Sequence, residues 1–221
     1  MENSVLLKKS VALVAFSRQS LFGAPMIETG DNRSALDAGL IARAQAGDIS
    51  AFEDLVRRYR NEVYALCFYF TRNREDAWDL SQEVFIKAWR ALSRFRGDSS
   101  FKTWLMRIAA NHSKDHLKKR RIQLTEYDDA LQVPDNRDNR TPRSEAEAKE
   151  IGTAIDAAVR QLPPKLQMAF ILREYQGLSY QEMAEVMACN MGTVMSRLFN
   201  ARRRLQQILA PLGLLEGYSN D

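Results

Sequence analysis

The apolar residues of this 221-residue chain recur at helical spacing almost throughout, and in one place they stop doing so. On both sides of residues 123–148 the hydrophobic positions fall three and four apart, the period of a helix with one buried face. No alternating polar and apolar run bounded by hairpin turns interrupts them, which excludes a sheet-based fold and predicts an all-α protein. Within 123–148, Asp128, Asp129, Asp135 and Asp138 alternate with Asn, Arg, Pro134 and Pro142, while large apolar residues become scarce. Such a stretch buries too little surface to offset the entropy of ordering it, and is expected to be a flexible acidic linker. Two small helical domains are therefore expected, at 36–122 and 149–210, with an extension at 1–35 and a tail at 211–221. A hydrophobic fraction of 45% is sufficient for both cores.

The amino terminus does not read as an anchor. Lys8 and Lys9 precede an apolar run from Val11 to Phe16, which is too short for a secretion signal and ends in Ser17, Arg18 and Gln19. Residues 1–25 are expected to be a disordered extension ahead of Met26, a second potential start. Cys67 and Cys189 lie far apart with no CxxC, so neither a disulfide nor a zinc site is expected, and a reducing cytoplasm fits. His112 and His116 are spaced i, i+4, but the lysines around them would repel a metal ion. No metal, cofactor or membrane insertion is expected, and the free chain is expected to be a monomer. The net charge of +4 is too small to argue nucleic-acid binding, so the placement of charge must carry that argument.

In the first domain, Ser50 and Glu53 have capping-box spacing and open a helix carrying Phe52, Leu55, Val56, Tyr59, Val63 and Leu66. A second helix, from about Asp76 to Ala91, gathers Asp76, Asp79 and Glu83 on one arc and Ala77, Leu80, Val84, Phe85 and Ala88 on another. One face is core and one is acidic. A third helix, from about Phe101, turns Phe101, Leu105, Ile108 and Ala109 partly inward. Its other stripe holds Arg107, Asn111, Lys114 and Lys118, with an exposed Trp104 on its edge and Lys119, Arg120 and Arg121 continuing the charge. Cations beside an exposed ring suit single-stranded nucleic acid, because cations follow phosphates and the ring stacks on an unstacked base. The preceding segment, Phe95-Arg96-Gly97-Asp98-Ser99-Ser100, is a loop suited to wrapping an extruded base.

In the second domain, Ile151, Ile155, Ala158, Val159 and Leu162 make an apolar stripe that Pro163 and Pro164 stop; a helix resumes over Gln167–Glu174 and breaks at Gly177. Ser179 and Glu182 then have capping-box spacing for a short helix, Tyr180–Met187, with Met183, Ala184 and Met187 facing inward. Asn190 is placed to cap the next helix, and so short a connection predicts a helix-turn-helix. Val194, Leu198, Ala201, Leu205 and Ile208 form its core arc. Thr193, Ser196, Asn200 and Arg203 fall opposite, with Arg197 and Arg204 at the margin and Arg202 on the other flank. Hydroxyl, amide and guanidinium groups at the start of such a helix are what base edges and phosphates require.

Two other readings compete. A DNA-binding regulator would use the second domain alone and leave the acidic face and the aromatic loop without a role. A nuclease holding Mg²⁺ on Asp76, Asp79 and Glu83 would need further ligands and a base, which no second carboxylate cluster supplies.

The segments Glu75–Phe85, Phe95–Leu105 and Ile108–Asn111, followed by Leu162-Pro163, Gly177–Ala184, Gly192-Thr193-Val194 and Ser196-Arg197-Leu198, together resemble the extracytoplasmic-function group of the sigma-70 superfamily, in its RpoE-like branch. The resemblance spans roughly Leu36 to Leu209. It implies a non-enzymatic alternative sigma factor with a region 2 bundle and a region 4 helix-turn-helix. Asp76, Asp79, Gln82 and Glu83 would dock on the clamp helices of the largest subunit of bacterial core RNA polymerase. The loop with Phe95 and Phe101, together with Trp104, Arg107, Asn111, Lys114 and Lys118, would capture the -10 element and assist melting. Thr193, Ser196, Arg197, Asn200, Arg203 and Arg204 would read the -35 element of promoter DNA, the second domain would meet the polymerase flap, and an anti-sigma partner is compatible with the group. Three positions depart from its usual pattern: Trp78 replaces an acid, and Met195 and Asn200 replace commonly basic residues.

Overall fold

The computed structural model describes residues 30–126 and 143–212, and side chains over 36–119 and 152–211. The expected linker's centre, the first 29 residues and the tail beyond 212 lie outside the described residues, as do the side chains of Arg120 and Arg121. Among the described residues there is no strand. The helices are α1 (Gly30–Gln45), α2 (Ile49–Thr71), α3 (Arg74–Ala91), α4 (Phe101–Glu126), α5 (Arg143–Arg160), α6 (Pro164–Phe170), α7 (Tyr180–Met187) and α8 (Met191–Leu209). Helix extends further at three boundaries than periodicity predicted: α1 begins at Gly30, inside the expected extension, while α4 runs past Ile122 to Glu126 and α5 starts at Arg143.

The chain packs as two compact units. One consists of α1–α4 together with Gln181–Cys189, and the other of α5, α6 and α8 with the segment before α7. In the first unit α2 is the central helix, burying Ala51, Leu55, Tyr59, Val63, Leu66 and Cys67 on one stripe. Its start differs from the capping box expected at Ser50. Asp48 is the cap, and its Oδ1 accepts from the amides of Ser50 and Ala51 at 3.0 and 3.2 Å and from the Ser50 hydroxyl at 2.7 Å. A carboxylate two residues earlier outcompetes a hydroxyl for amides bearing partial positive charge. The Ser50 bond first, then Arg43, whose Nη2 stands 2.6 Å from Asp48 Oδ2, and the Ala51 amide hold the Asp48 pKa down at about 2.

Helix α1 is fastened to α2 through Asp37, which accepts from Arg58 Nη1 at 2.7 Å and from the Tyr59 hydroxyl. Asn73 caps α3 by accepting from the amides of Glu75 and Asp76 at 2.8 and 3.1 Å. Ala77, Leu80, Ser81, Val84 and Ala88 line the buried face of α3. Phe85, expected with them, is half-buried at its margin. Burial pushes the Cys67 thiol up to about 12, which removes it from thiolate chemistry at neutral pH.

In the second unit, Pro164 starts α6 at a position where a missing N–H costs nothing, so the proline pair that ends one helix opens the next. The chain continues through a π-helical turn, Ile171–Tyr175, closed by Gln176 N–H donating to Ile171 O at 3.0 Å. Gly177, at φ +68°, ends it in a left-handed conformation that costs a residue without Cβ little. The π turn aims two polar side chains at neighbouring helices. Tyr175 donates to Asp156 Oδ1 of α5 at 2.9 Å, and Glu174 Oε1 accepts from Arg202 Nη2 of α8 at 2.8 Å. On α8, Val194, Leu198, Ala201, Leu205 and Leu209 are buried, and Ile208 is half-buried.

Candidate functional site

The docking residues expected on α3 stand outward. Asp79, Gln82 and Glu83 are exposed and Asp76 is half-exposed, outside the buried stripe of Leu80 and Val84. Trp78, Ile86 and Trp89 share the outward surface at 58%, 49% and 37% exposure, so this face is more apolar than its carboxylates suggested. Glu83 is engaged within the chain. His112 of α4 donates from Nε2 to Glu83 Oε2 at 2.5 Å, while its Nδ1 lies 2.6 Å from Lys87 Nζ. An ammonium only donates, so Nδ1 must accept and the proton sits on Nε2. No local pattern marks this Lys87–His112–Glu83 chain, because its members come from two helices.

The loop after α3 is shaped by its supports. Gln45 Nε2 of α1 donates to Leu92 O and to Phe95 O, both at 2.9 Å, tying down the 3-10 turn Leu92–Arg94 and the residue after it. Gly97 sits at φ +79°, where other residues are strained. Ser100 Oγ then accepts from the Thr103 amide at 3.1 Å and begins α4. Gln45 was missed by sequence reasoning because its role depends on residues 47 and 50 positions away.

One expectation fails here. Trp104 was expected as an exposed ring, yet it is 8% exposed, and Phe101 is 3% exposed. Trp104 packs against Phe95 and Phe101 with centroids at 5.1 and 5.5 Å, and Phe95 meets Phe101 edge-on at 5.9 Å. Burying a large aromatic surface outweighs leaving it open for a base, and offset ring pairs add to the gain. Phe95 is half-exposed. The cationic stripe is as expected: Arg107, Asn111, Lys114 and Lys118 are all exposed on α4. Among the described residues, no group of three or more His, Cys, Asp and Glu gathers to hold a metal.

On α8, Asn190 Oδ1 accepts from the Thr193 amide at 2.7 Å and from its hydroxyl at 2.8 Å, and the Ser196 hydroxyl donates to Thr193 O at 3.0 Å. Both hydroxyl protons are thus committed to the first turn, leaving oxygen lone pairs outward. Ser196, Asn200, Arg203 and Arg204 are exposed; Thr193 and Arg197 are half-buried. Arg202 is held by Glu174, whose side chain is 6% exposed, so this arginine braces the unit and leaves the outward cations to its neighbours. The connection from α7 turns through Ala188 at φ +49°, with Cys189 N–H donating to Ala184 O at 3.1 Å. Met183, Val186 and Met187 are the buried residues of α7; Ala184, expected inward, is half-exposed.

Two family models match the chain. The family model described as Sigma-70 region 2 matches residues 55–122, and that described as Sigma-70, region 4 matches 152–205. The chain is 40% identical over 188 residues to the RNA polymerase sigma-H factor of Pseudomonas aeruginosa, covering 80% of this chain and 95% of that protein. It is 39% identical over 183 residues to the ECF RNA polymerase sigma-E factor of Escherichia coli, covering 80% and 95%. Among solved structures, it is similar to the sigma factor RpoE of Bartonella quintana in complex with the anti-sigma factor NepR, at TM-score 0.61 and 25% identity over 72% of this chain and 96% of that one. It is also similar to CnrH in complex with the cytosolic domain of CnrY, at TM-score 0.58 and 25% identity over 80% and 98%. The chain belongs to the sigma-70 superfamily, in its extracytoplasmic-function group. It is an alternative sigma factor that directs promoter-specific transcription by bacterial RNA polymerase. No described helix is long and apolar enough to cross a membrane.

Proposed function

We propose that the chain divides this work among three surfaces, without enzymatic activity of its own and in the cytoplasm. The outward face of α3, with Asp76, Asp79, Gln82 and Glu83, docks on the basic clamp helices of core polymerase, and Trp78 and Ile86 add apolar area to that contact. The loop from Phe95 to Phe101 captures an unstacked base of the -10 element. Arg107, Asn111, Lys114 and Lys118 follow the phosphates of the separated strand, while Trp104 and Phe101 act as positioning residues that hold the loop from below. Thr193, Ser196, Arg197, Asn200, Arg203 and Arg204 meet the -35 element in the major groove. The second unit also meets the polymerase flap, and an anti-sigma protein that covers these surfaces would silence the chain; the relatives solved with NepR and CnrY support such a partner.

The observation that carries this reading is the segregation of charge across one helix pair: carboxylates outward on α3, cations outward on α4. Binding energy from three contacts is then available for melting, and the bond-making chemistry belongs to the polymerase. Transcription reconstituted with bacterial core enzyme on a randomised promoter library tests it. Run-off transcripts that require this chain are expected. Reversing charge at Asp79 and Glu83 together should reduce capture of core at least tenfold with the helical signal unchanged; undiminished capture would overturn the docking assignment.

A further inference from the structure

The outward arc of α8 is chemically divided. At about 100° per residue, Ser196 and Arg203 mark its middle; Met195 and Phe199 fall on one flank, and Thr193, Asn200 and Arg204 on the other. The apolar flank is unusually open. Met191, Met195 and Phe199, spaced four apart, are 49%, 45% and 66% exposed. On the other flank Asn200 is exposed, and among the described residues nothing takes its amide. A surface with open apolar side chains on one flank, an unpartnered amide on the other and the exposed guanidinium groups of Arg203 and Arg204 among them fits a partner that is polyanionic and also presents methyl groups and paired donors and acceptors. The major groove at A·T pairs has that chemistry: thymine offers a C5-methyl, and adenine offers N7 and N6–H₂, which an amide side chain meets with two hydrogen bonds.

We infer that Met195 and Asn200 set the -35 preference of this sigma factor by reading A·T pairs, Met195 through a thymine methyl and Asn200 through an adjacent adenine edge. This rests on α8 being the -35 reader. Arginine discriminates chiefly by pairing with guanine, so preference for an A·T pair falls to side chains that carry no charge, such as Met195 and Asn200. Met195 suits the task because its thioether chain is flexible and polarizable and adapts to a methyl without a fixed geometry.

The test uses holoenzyme assembled from the full chain and bacterial core, with promoters selected from a library randomised at -35. Selection of A·T pairs at neighbouring positions is expected. Replacing thymine by uracil at one of them removes a single methyl and should weaken binding about fourfold, the equivalent of one buried methyl group. Met195→Ala should abolish that sensitivity, and Met195 is exposed enough that the variant keeps its fold, as circular dichroism would verify. Asn200→Ala should erase discrimination at the adenine position, a loss of about tenfold or more, and 7-deazaadenine there should mimic it in the unaltered protein. Selection of G·C at these positions, or equal binding of uracil and thymine promoters while -35 protection persists, would overturn the inference alone. Binding that survives Arg203→Ala with Arg204→Ala at unchanged salt dependence would overturn the assignment of α8 to DNA, and the inference with it; the apolar flank would then belong to a protein partner.

Discussion

The two surfaces proposed to meet nucleic acid use large apolar side chains in opposite ways. Beneath the loop of the first unit, Phe95, Phe101 and Trp104 close on one another and Trp104 is 8% exposed, whereas on α8 of the second unit Phe199 is 66% exposed. A loop proposed to hold a base would need a rigid floor, and burial of the rings beneath this one supplies such a floor. A helix proposed to enter a groove is rigid already, so its apolar residues can stay exposed. Position on the element, rather than residue type, decides whether an aromatic is scaffold or probe.

The largest expected effect separates these roles. Trp104→Ala should destabilise the first unit by about 3–5 kcal/mol, the usual cost of emptying a buried aromatic site, whereas Phe199→Ala should change stability by no more than about 0.5 kcal/mol. Urea unfolding followed by circular dichroism measures both. A small loss at Trp104 with impaired promoter opening would break the comparison and return that ring to base contact. Trp104→Phe should recover most of the stability, since the ring cluster is kept.

An intermediate effect sharpens the comparison within α8 itself. Arg202 and Arg203 are neighbours of equal charge, but only Arg202 is bonded to the nearly buried Glu174. Arg202→Ala should cost about 2 kcal/mol, because a carboxylate is left without its charged partner in a site where its side chain is 6% exposed. Arg203→Ala should leave the fold alone and lower the slope of log affinity against log salt by about one unit. Equal effects of the two variants on either measurement would show that the division between brace and contact is wrong.

Much of this architecture was legible because it rests on near-neighbour periodicity. The buried stripes of α2, α3 and α8 follow from spacing alone, as does Asn190 as a cap, since a cap acts within its own turn. The outward positions of Asp79, Glu83, Arg107 and Asn200 follow from the same wheel. Illegible features join distant segments: Gln45 on the Leu92–Phe95 turn, His112 between Glu83 and Lys87, and Glu174 on Arg202. Trp104 was misjudged for a related reason. It lies on the edge between the core arc and the cationic stripe, and only the fold of the Phe95 loop over it decides which side it joins.

The smallest expected effect distinguishes two helices, one from each unit, by the chemistry of their caps. Helix α2 starts on a carboxylate, Asp48, and α8 on an amide, Asn190. The Asp48 pKa is lowered from 3.8 to about 2 in the folded chain. A depressed carboxyl favours the native state where it is ionised, so its contribution is complete above the unfolded value and is lost as pH falls through the folded one. The amide protons of Ser50 and Ala51 should therefore shift with a common midpoint near 2 in nuclear magnetic resonance spectra, while that of Thr193, bonded to Asn190, should show no such step. Asp48→Asn should erase the titration while keeping a capping oxygen, because asparagine is as good a cap and does not ionise. A midpoint near 4 would mean that Ser50 and Arg43 do not hold the carboxylate in solution, and the first helix boundary would then rest on the hydroxyl of Ser50, as its sequence spacing suggested.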